Sequence, residues 1–446
     1  WVSYFANLNY NFRNKYFLSS NISYDGNSAT NEDNRYNLYP SVGAAWRLSS
    51  ESFLNQASWL EDLKLRGSYT VTGNMFSSIY DYSKLFYTSR RLNGDGVLLR
   101  EIIPNENLEL EKKATMNAGL DLSVFKQLVN IHIDYFKANV NNLVIEQELP
   151  STFGYTTYFD NGGELEISGL EVGAYSHFQA GDLTWTLGGM VSKETTKIKS
   201  LTFLNPDTEN IVTSIMGAQF ITSEGNSINA YYGYKTNGLI SDAEAGIVTG
   251  PNGTLMQAGD VNFEDRDGNN IINDEDKIII GDPNPDLFGS VYTTISYKNL
   301  GLSASFNYSI GNDAFNYLKY KAEAMDSYTN QSASVLDRWS ASNTGTDIPR
   351  PRYGDPAGNA VFSDRWIEDA SYLRMDQLTL SYTLPSMPGI YKGIVVYLTA
   401  TNLFTFTNYS GYDPDFMYVN SPFYMGVDYG KMPQTRSFII GLKLDL

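Results

Sequence analysis

The chain has 446 residues, no cysteine and a formal net charge of -18. The absence of cysteine excludes disulfide, thiolate and cysteine-zinc chemistry, and the excess of acidic over basic residues excludes a basic surface for nucleic acid. Mean hydropathy is negative, and no apolar run reaches the roughly 18 to 20 residues of a membrane helix, which excludes a helical membrane protein. Membrane β-strands stay possible, because they alternate apolar and polar residues.

Alternation of apolar and polar residues with a period of two predicts thirteen β-strands. In residues 300–310, for example, Leu302, Ala304 and Phe306 share one face, and Ser303, Ser305 and Asn307 share the other. In chain order the predicted strands are residues 2–12, 16–24, 42–48, 63–71, 114–124, 129–135, 170–174, 183–191, 291–297, 300–310, 378–384, 394–403 and 436–446.

The last predicted strand brings the sequence to an apolar end. Phe438, Ile440, Leu442, Leu444 and Leu446 lie on one face of it. Exposed termini fray, so an apolar strand at this position must be held by pairing or packing with other elements. The pattern is similar to the C-terminal signal of outer-membrane barrels, although Leu446 replaces the more usual Phe and Ile439 occupies a position where polar residues are commoner. The edge strand of a soluble sandwich is the alternative.

The links between the predicted strands alternate in length. Short links follow strands one, three, five, seven, nine and eleven, and long links follow the even-numbered strands, the longest being residues 194–286. Short turns at one rim and long loops at the other are typical of an outer-membrane barrel whose long loops are extracellular. The sequence therefore predicts an all-β fold, a transmembrane antiparallel β-barrel, with 194–286 as a long extracellular loop region.

Thirteen is an odd number of strands. An antiparallel barrel closes with an even number, and open edges in lipid would expose unpaired backbone groups at several kcal/mol each. We therefore expect this chain to be part of a larger barrel that contains an odd number of further strands.

Several segments resemble one family, the SusC/RagA-like TonB-dependent outer-membrane transporters of Bacteroidetes. They are residues 39–54 (YPSVGAAWRLSSESFL), 63–74 (LKLRGSYTVTGN), 106–122, 259–276 (GDVNFEDRDGNNIINDED), 366–385 and 401–415 (TNLFTFTNYSGYDPD). The resemblance implies a 22-stranded barrel of which residues 1–446 are the C-terminal portion. It also implies that the plug, the N-terminal strands and the TonB-contacting segment are absent from this chain.

The same resemblance implies a function. It is the energised import of a large nutrient, an oligosaccharide or a peptide, with a SusD-like lipoprotein as partner and TonB acting through the absent N-terminal region. One alternative is a non-transporting outer-membrane barrel, an adhesin or a passive porin. A second alternative is a soluble all-β glycan-binding protein.

An acidic segment in the longest link has the spacing of a calcium-binding loop. Oxygen ligands at positions one, three, five, seven, nine and twelve of an EF-hand-like loop allow one turning segment to surround a Ca²⁺ ion. Here those positions hold Asp265, Asp267, Asn269, Ile271 through its backbone carbonyl, Asn273 and Asp276. Asn270 stands at the usual glycine position, which Asn tolerates because it enters the left-handed region. An Asx-rich turn without metal is the alternative.

Catalysis has little support in the sequence. The only histidines, His132 and His177, lie on strands one hairpin apart, so we predict no enzyme, with a phospholipase-type site as the weaker alternative. Aromatic residues in the long loops could stack on sugars or peptide side chains, or pack within the loops: Tyr231, Tyr232, Tyr234, Trp339 and Tyr412. Residues 312–326 and 331–340 are predicted to be short helices.

Overall fold

The computed structural model describes residues 1–28, 30, 32–54, 56–74, 87–92, 95–100, 103–149, 152, 157–203, 209–385, 393–416 and 425–445. Leu446, the last apolar residue of the predicted terminal strand, lies outside them. Among the described helices, none is long and apolar enough to span a bilayer.

Thirteen strands form one antiparallel sheet in chain order, which confirms the predicted barrel wall. They are β1 (Val2–Phe12), β2 (Tyr16–Gly26), β3 (Tyr36–Arg47), β4 (Leu60–Asn74), β5 (Glu111–Val124), β6 (Val129–Glu148), β7 (Thr157–Ala180), β8 (Leu183–Leu201), β9 (Leu287–Tyr297), β10 (Leu300–Ile310), β11 (Tyr372–Leu384), β12 (Gly393–Thr401) and β13 (Ser437–Asp445). A short strand, Thr405–Thr407, also pairs with β11.

The wall has one apolar and one polar face. The strand register places apolar residues opposite apolar residues, and polar opposite polar, on neighbouring strands. One cross-strand row of the apolar face consists of Ile295, Leu302, Leu380, Leu398 and Ile440. A row on the polar face consists of Thr294, Ser303, Thr379 and Thr399. The hydroxyl oxygens of Thr294 and Ser303 are 3.3 Å apart, and those of Thr379 and Thr399 are 2.9 Å apart. Ile439 lies opposite Thr399, so it is an apolar residue on the polar face, as its position in the sequence predicted.

Aromatic side chains border the apolar face at both rims. At the short-turn end, Tyr16 stacks on Trp46 with ring centroids 6.3 Å apart. At the long-loop end, Tyr24 stacks on Tyr36 at 5.2 Å. Tyr16 and Tyr24 are separated by roughly 26 Å along β2 at ~3.3 Å per residue. That distance matches the apolar band of about 25 Å between the aromatic girdles of a membrane barrel.

Strands β6, β7 and β8 are longer than predicted. Pairing of β6 with β7 continues to Glu148 and Thr157, so the predicted long link after the sixth strand is wrong, and only residues 149–156 connect the two strands. β8 continues to Leu201, so the irregular part of the 194–286 region begins at 202. At the long-loop end, β6, β7 and β8 are too polar to show a clear period-two alternation of apolar residues. There Val140, Leu165 and Ile198 form a buried cluster that holds the three strands together.

Three long connections lie at the same end of the wall. We call them loop A (202–286), loop B (311–371) and loop C (402–436). Loop A contains strands Asn210–Ile215, Ala218–Ser223, Ala230–Gly233, Thr236–Leu239, Val261–Phe263 and Ile278–Gly281, and a 3₁₀ helix at Asp274–Asp276. Loop B contains strands Asp313–Asn316 and Ile367–Asp369, the helix α1 (Tyr317–Glu323), and 3₁₀ helices at Ala333–Asp337 and Asp364–Trp366. The strand Val427–Asp428 of loop C pairs with the first strand of loop B.

The remaining short elements lie outside these loops, and the helices are shorter than predicted. A hairpin joins Tyr87–Leu92 to Asp95–Arg100, and 3₁₀ helices at Leu48–Ser50 and Ser52–Leu54 precede β4. Both predicted helices of loop B are present as the shorter α1 and the 3₁₀ helix at Ala333–Asp337.

Candidate functional site

Loops A, B and C share one buried aromatic core. Its buried members are Ala218, Phe220 and Tyr231 of loop A, Phe315, Phe362 and Trp366 of loop B, and Val427 of loop C. Tyr231 lies 5.2 Å from Phe220 and 6.2 Å from Phe362 between ring centroids. Because residues from all three loops are buried against one another, the loops form a single packed body, which we call the loop layer.

Tyr231 is fully buried, and its hydroxyl links the three loops. The hydroxyl donates to the carbonyl oxygen of Gly426 at 2.7 Å and accepts from the amide of Phe315 at 3.2 Å. Burial raises the pKa of Tyr231 far above its usual value, so the hydroxyl keeps its proton. Gly426 has a φ of 85°, and a Cβ at this position would collide with the same hydroxyl. The contact therefore requires both the tyrosine and the glycine.

Buried ion pairs add further ties between loops. The Asp260 carboxylate of loop A is fully buried and accepts from Arg350 of loop B at 2.9 Å and 3.2 Å, and from Asn359 at 3.1 Å. The Arg352 guanidinium lies 3.4 Å from the same carboxylate, so truncating Asp260 would leave two arginines of loop B without their partner. This pair was missed in the sequence, because the two residues are far apart in the chain and follow no common motif.

A second missed pair joins two segments that the family resemblance singled out. Arg374 of β11 is 5% exposed and donates to Asp413 and Asp415 of loop C, to the latter at 3.2 Å. The Asp-Pro-Asp sequence of loop C was the available signal, since two carboxylates at this spacing suit a guanidinium. The pair fixes the start of loop C against the top of the wall.

The acidic segment 265–276 folds as a tight turn. Asn270 has a φ of 63°, which confirms its left-handed conformation at the sixth position. The Asp265 carboxylate accepts from the amides of Gly268 at 2.8 Å and Asn270 at 2.7 Å. Asp276, 1% exposed, accepts from the amides of Arg266 at 2.8 Å and Asn273 at 2.9 Å. These bonds draw the two ends of the segment together.

Three of the six predicted ligands converge. Carboxylate oxygens of Asp265, Asp267 and Asp276 lie within 4.8 Å of one another. Asn269 accepts from the Ile271 amide at 2.6 Å, and Asn273 caps the 3₁₀ helix through the Glu275 amide at 2.7 Å. Burial acts to raise the pKa of Asp265, but the amides of Asn270 and Gly268 outweigh it, so the carboxyl is ionised more readily than usual.

These residues fit a hard cation and also fit a turn without metal. Ca²⁺ prefers six to eight oxygen ligands, and the carboxylates, amide oxygens and backbone carbonyl of the segment could supply them. The same oxygens already accept backbone hydrogen bonds, which is how an Asx-rich turn is stabilised. Calcium binding therefore stays a prediction. Ile272, 2% exposed, packs into a second core with Tyr234 and Phe263. The segment is therefore fixed to the rest of loop A with or without a cation.

The aromatic candidates divide by burial. Tyr231 and Tyr234 are buried in the two loop-layer cores and cannot contact a ligand from solution. Tyr232 and Trp339 are partly exposed, and the Trp339 ring lies against Gly259. Tyr412 is 68% exposed. Of the five candidates, only Tyr412 presents most of its ring to solvent.

The two histidines lie in separate polar networks on the polar face of the wall. His132 Nδ1 is 2.9 Å from Asp121 Oδ1, and Arg66 bridges Asp121 and Asp134 at 2.9 Å and 2.8 Å. His177 Nδ1 is 3.0 Å from Thr186 Oγ1. The two are not brought into one arrangement of nucleophile, base and acid.

Comparison with known proteins decides the family. A family model described as TonB dependent receptor-like, beta-barrel, matches residues 2–403. The chain belongs to this family. The family consists of outer-membrane receptors and not of enzymes, and its barrels are built into the outer membrane. The apolar face of the wall therefore faces lipid, and the loop layer lies at the extracellular end.

Known proteins match this TonB-dependent receptor barrel over at least 99% of its length. TonB-dependent receptor P3 of Formosa agariphila is 31% identical over 99% of this chain, and SusC of Bacteroides thetaiotaomicron is 29% identical over 99%. Two structures of the RagAB peptide importer and transporter superpose on 100% of this chain with TM-scores of 0.82 and 0.84, at 24% and 22% identity. The chain spans 45% and 43% of the two relatives and 47% of each solved chain, which is less than half of their length.

Proposed function

We propose that this chain forms the C-terminal part of the barrel wall and the extracellular loop layer of an energised importer for a large nutrient, an oligosaccharide or a peptide. The observation that carries the proposal is the shared core of loops A, B and C. Loops packed into one body present a pre-formed surface, and a pre-formed surface binds with a smaller entropic cost than mobile loops.

The proposal includes further strands. The edge strands β1 and β13 are each paired on one side only within the described residues. Unpaired edges in lipid cost several kcal/mol per backbone group, so we propose that an odd number of additional strands of the full-length receptor closes the barrel. TonB would act through an N-terminal region that precedes the wall.

A SusD-like surface lipoprotein is the proposed partner. SusC is a relative of this chain, and a chain of the RagAB peptide importer has the same fold. The loop layer is the part of this barrel that such a lipoprotein could contact from outside the cell.

Uptake measurements test the proposal. A strain that lacks the gene is compared with wild type for uptake of labelled oligosaccharides and peptides, with and without a protonophore. Energised import predicts that both the deletion and the protonophore abolish uptake of the same solute. Uptake that persists with the protonophore would identify a passive porin, and unchanged uptake with lost surface attachment would identify an adhesin. Affinity purification from the native membrane tests for the lipoprotein, and its absence would contradict the proposed partner.

A further inference from the structure

Two tyrosines of loop B are unusually exposed and lie against each other. Tyr328 is 90% exposed and Tyr353 is 69% exposed. Their ring centroids are 4.5 Å apart with an interplanar angle of 25°, which is a stacked arrangement. Phe315, Phe362 and Trp366 of the same loop are buried in the aromatic core, whereas this pair presents its rings to solvent.

The backbone that carries the pair is fixed from several sides. The Gly354 amide donates to the carbonyl oxygen of Asp326 at 2.7 Å, which joins the two tyrosine segments. The Asp355 carboxylate accepts from the amides of Asn359 at 2.7 Å and Ala360 at 2.9 Å. The Asn252 side chain of loop A donates to the Asp355 carbonyl oxygen at 2.7 Å. The rings are therefore held on a rigid support.

Two residues next to the pair adopt a costly backbone conformation. Met325 has a φ of 52° and Asp355 has a φ of 43°, both in the left-handed region that non-glycine residues rarely enter. Such conformations persist only where the surroundings enforce them, and they concentrate at binding sites. Here they orient the two segments that present the rings.

The neighbours of the pair are small and polar. Ser327 Oγ donates to the Asp326 carboxylate at 2.9 Å and lies 3.2 Å from Thr329 Oγ1. Protein-docking patches are contiguous apolar areas with a polar rim, whereas the residues that flank Tyr328 in the chain carry hydroxyl and carboxylate groups. A pyranose ring offers an apolar C–H face for the aromatic ring and hydroxyl donors for the carboxylate. The carboxylate disfavours an anionic ligand.

We infer that Tyr328 and Tyr353 form a stacking site for the pyranose rings of a neutral glycan. The inference builds on the proposed import function and selects the oligosaccharide over the peptide as its substrate class. The tyrosine rings contribute stacking area at a low cost in side-chain entropy. The adjacent Asp326 carboxylate accepts hydrogen bonds from sugar hydroxyls.

Calorimetric titration of the full-length receptor, purified with its partner, tests the site. The probes are maltoheptaose, xylohexaose, mannohexaose and laminarihexaose. The double variant Tyr328→Ala/Tyr353→Ala is expected to bind the recognised sugar about tenfold or more weakly, as truncation of an aromatic contact residue does. The double variant to Phe keeps the rings and is expected to stay within about threefold of wild type. Leu336→Ala, which removes a 77% exposed apolar side chain elsewhere in loop B, is the control and should not change binding.

Three results would overturn the site. The first is wild-type protein that binds none of the sugars while it still imports peptides with energy dependence, which leaves the proposed function intact. The second is sugar binding that the Ala double variant does not weaken. The third is loss of the lipoprotein from the Ala double variant, which would make the pair a protein contact. Wild-type cells without energised uptake of any solute would instead contradict the proposed function, while the titration still decides the site.

Discussion

The Tyr231 hydroxyl occupies the point where loops A, B and C meet. It is fully buried, donates to Gly426 and accepts from the Phe315 amide. The Phe315 amide also donates to the Gly426 carbonyl oxygen at 2.9 Å, so the two backbone groups and the hydroxyl bond one another. A single hydroxyl thus joins loop A to the backbone contact between loops B and C.

Tyr231→Phe is expected to loosen the loop layer without affecting the wall. The Phe315 amide and the Gly426 carbonyl oxygen keep their mutual bond, and each of the two lost hydrogen bonds contributes about 0.5 to 1.5 kcal/mol. Amide hydrogen exchange at Phe315 and Val427 should accelerate roughly tenfold to a hundredfold, since about 1.4 kcal/mol is a factor of ten. Tyr412→Phe removes an exposed hydroxyl and serves as the control. Unchanged exchange in the Tyr231→Phe variant would show that the two bonds are not needed to hold the loops.

Asp313 makes the stability of the loop layer depend on pH. Burial, followed by the charges of Asp369, Asp282 and Asp286, raises the pKa of Asp313. Because the folded-state pKa exceeds the unfolded value of about 3.9, the protonated form favours folding, and this contribution is lost as pH rises through the folded-state pKa. Asp313→Asn keeps the oxygen that accepts from the Asp282 amide at 2.9 Å. It should raise the thermal midpoint of the loop layer at pH 7.

The effect of Asp313→Asn should shrink below about pH 4, where the wild-type carboxyl is protonated. Asp242→Asn, an exposed position of loop A, is the comparison and should show little pH-dependent difference. A stabilisation that is the same at low and neutral pH would mean that the charge of Asp313 is not its cause.

Residue roles were only partly predictable from the sequence. The Tyr-Tyr-Gly-Tyr stretch suggested ligand contact, yet Tyr231 and Tyr234 are buried while Tyr232 is partly exposed. Tyr231 and Tyr234 are buried in two different cores, which residues far along the chain complete. Tyr328 gave no signal in the sequence, because its neighbours are polar and form no periodic pattern.

Among the elements, the turn formed by the acidic segment 265–276 was predictable from the sequence. Whether a cation binds to it was not. Spacing alone places Asp265 and Asp276 at the two ends of one turn, and the structure brings their carboxylates together. The turn forms through backbone amides whether or not a cation joins it. A measurement must therefore separate the metal from the turn.

Asp265→Ala with Asp267→Ala is expected to raise protease cleavage within loop A, because the turn loses two carboxylates. If Ca²⁺ binds, EGTA should have the same effect on the wild type, and millimolar Ca²⁺ should reverse it. Asp242→Ala removes an exposed acid of loop A outside the segment and is the control. Cleavage of the wild type that is equal in Ca²⁺ and in EGTA would reject calcium and leave the metal-free turn.

At the scale of the whole molecule, the two faces of the wall set the sharpest test of the fold. Leu302 lies on the apolar face and Ser303 on the polar face of β10, one residue apart. Arg at a mid-membrane lipid-facing site costs roughly 2 to 4 kcal/mol, whereas a lumen site tolerates it. Leu302→Arg should therefore reduce the amount of heat-resistant barrel in the outer membrane far more than Ser303→Arg.

A lipid-soluble photoprobe separates lipid exposure from burial in a soluble core. It should label Leu302 and Leu380, which are 37% and 50% exposed on the apolar face. A folded protein without label at these positions would contradict the orientation of the wall.

The architecture of the wall was the most predictable part of the molecule. Period-two alternation located all thirteen strands, because one face must be apolar and the other polar throughout the membrane. The alternation did not predict the long-loop ends of β6, β7 and β8, because the rule holds only within the membrane. Above the membrane neither face meets lipid, so residues such as Val140 and Ile198 are buried by loop contacts that no local pattern encodes.

The long-range contacts of Tyr231 have a consequence for the order of folding. Each strand of the wall pairs with the next wall strand along the chain, and most of these pairs are hairpins of low sequence separation. The widest pairing in the wall, β8 with β9, joins Leu183 to Tyr297. The contact of Tyr231 with Gly426 spans 195 residues, more than any strand pair of the wall. Closing such loops costs entropy that earlier pairing of β9 to β13 reduces. The wall is therefore expected to form first, and the newly inserted barrel passes through a state in which the aromatic rings of the loops are open to extracellular proteases.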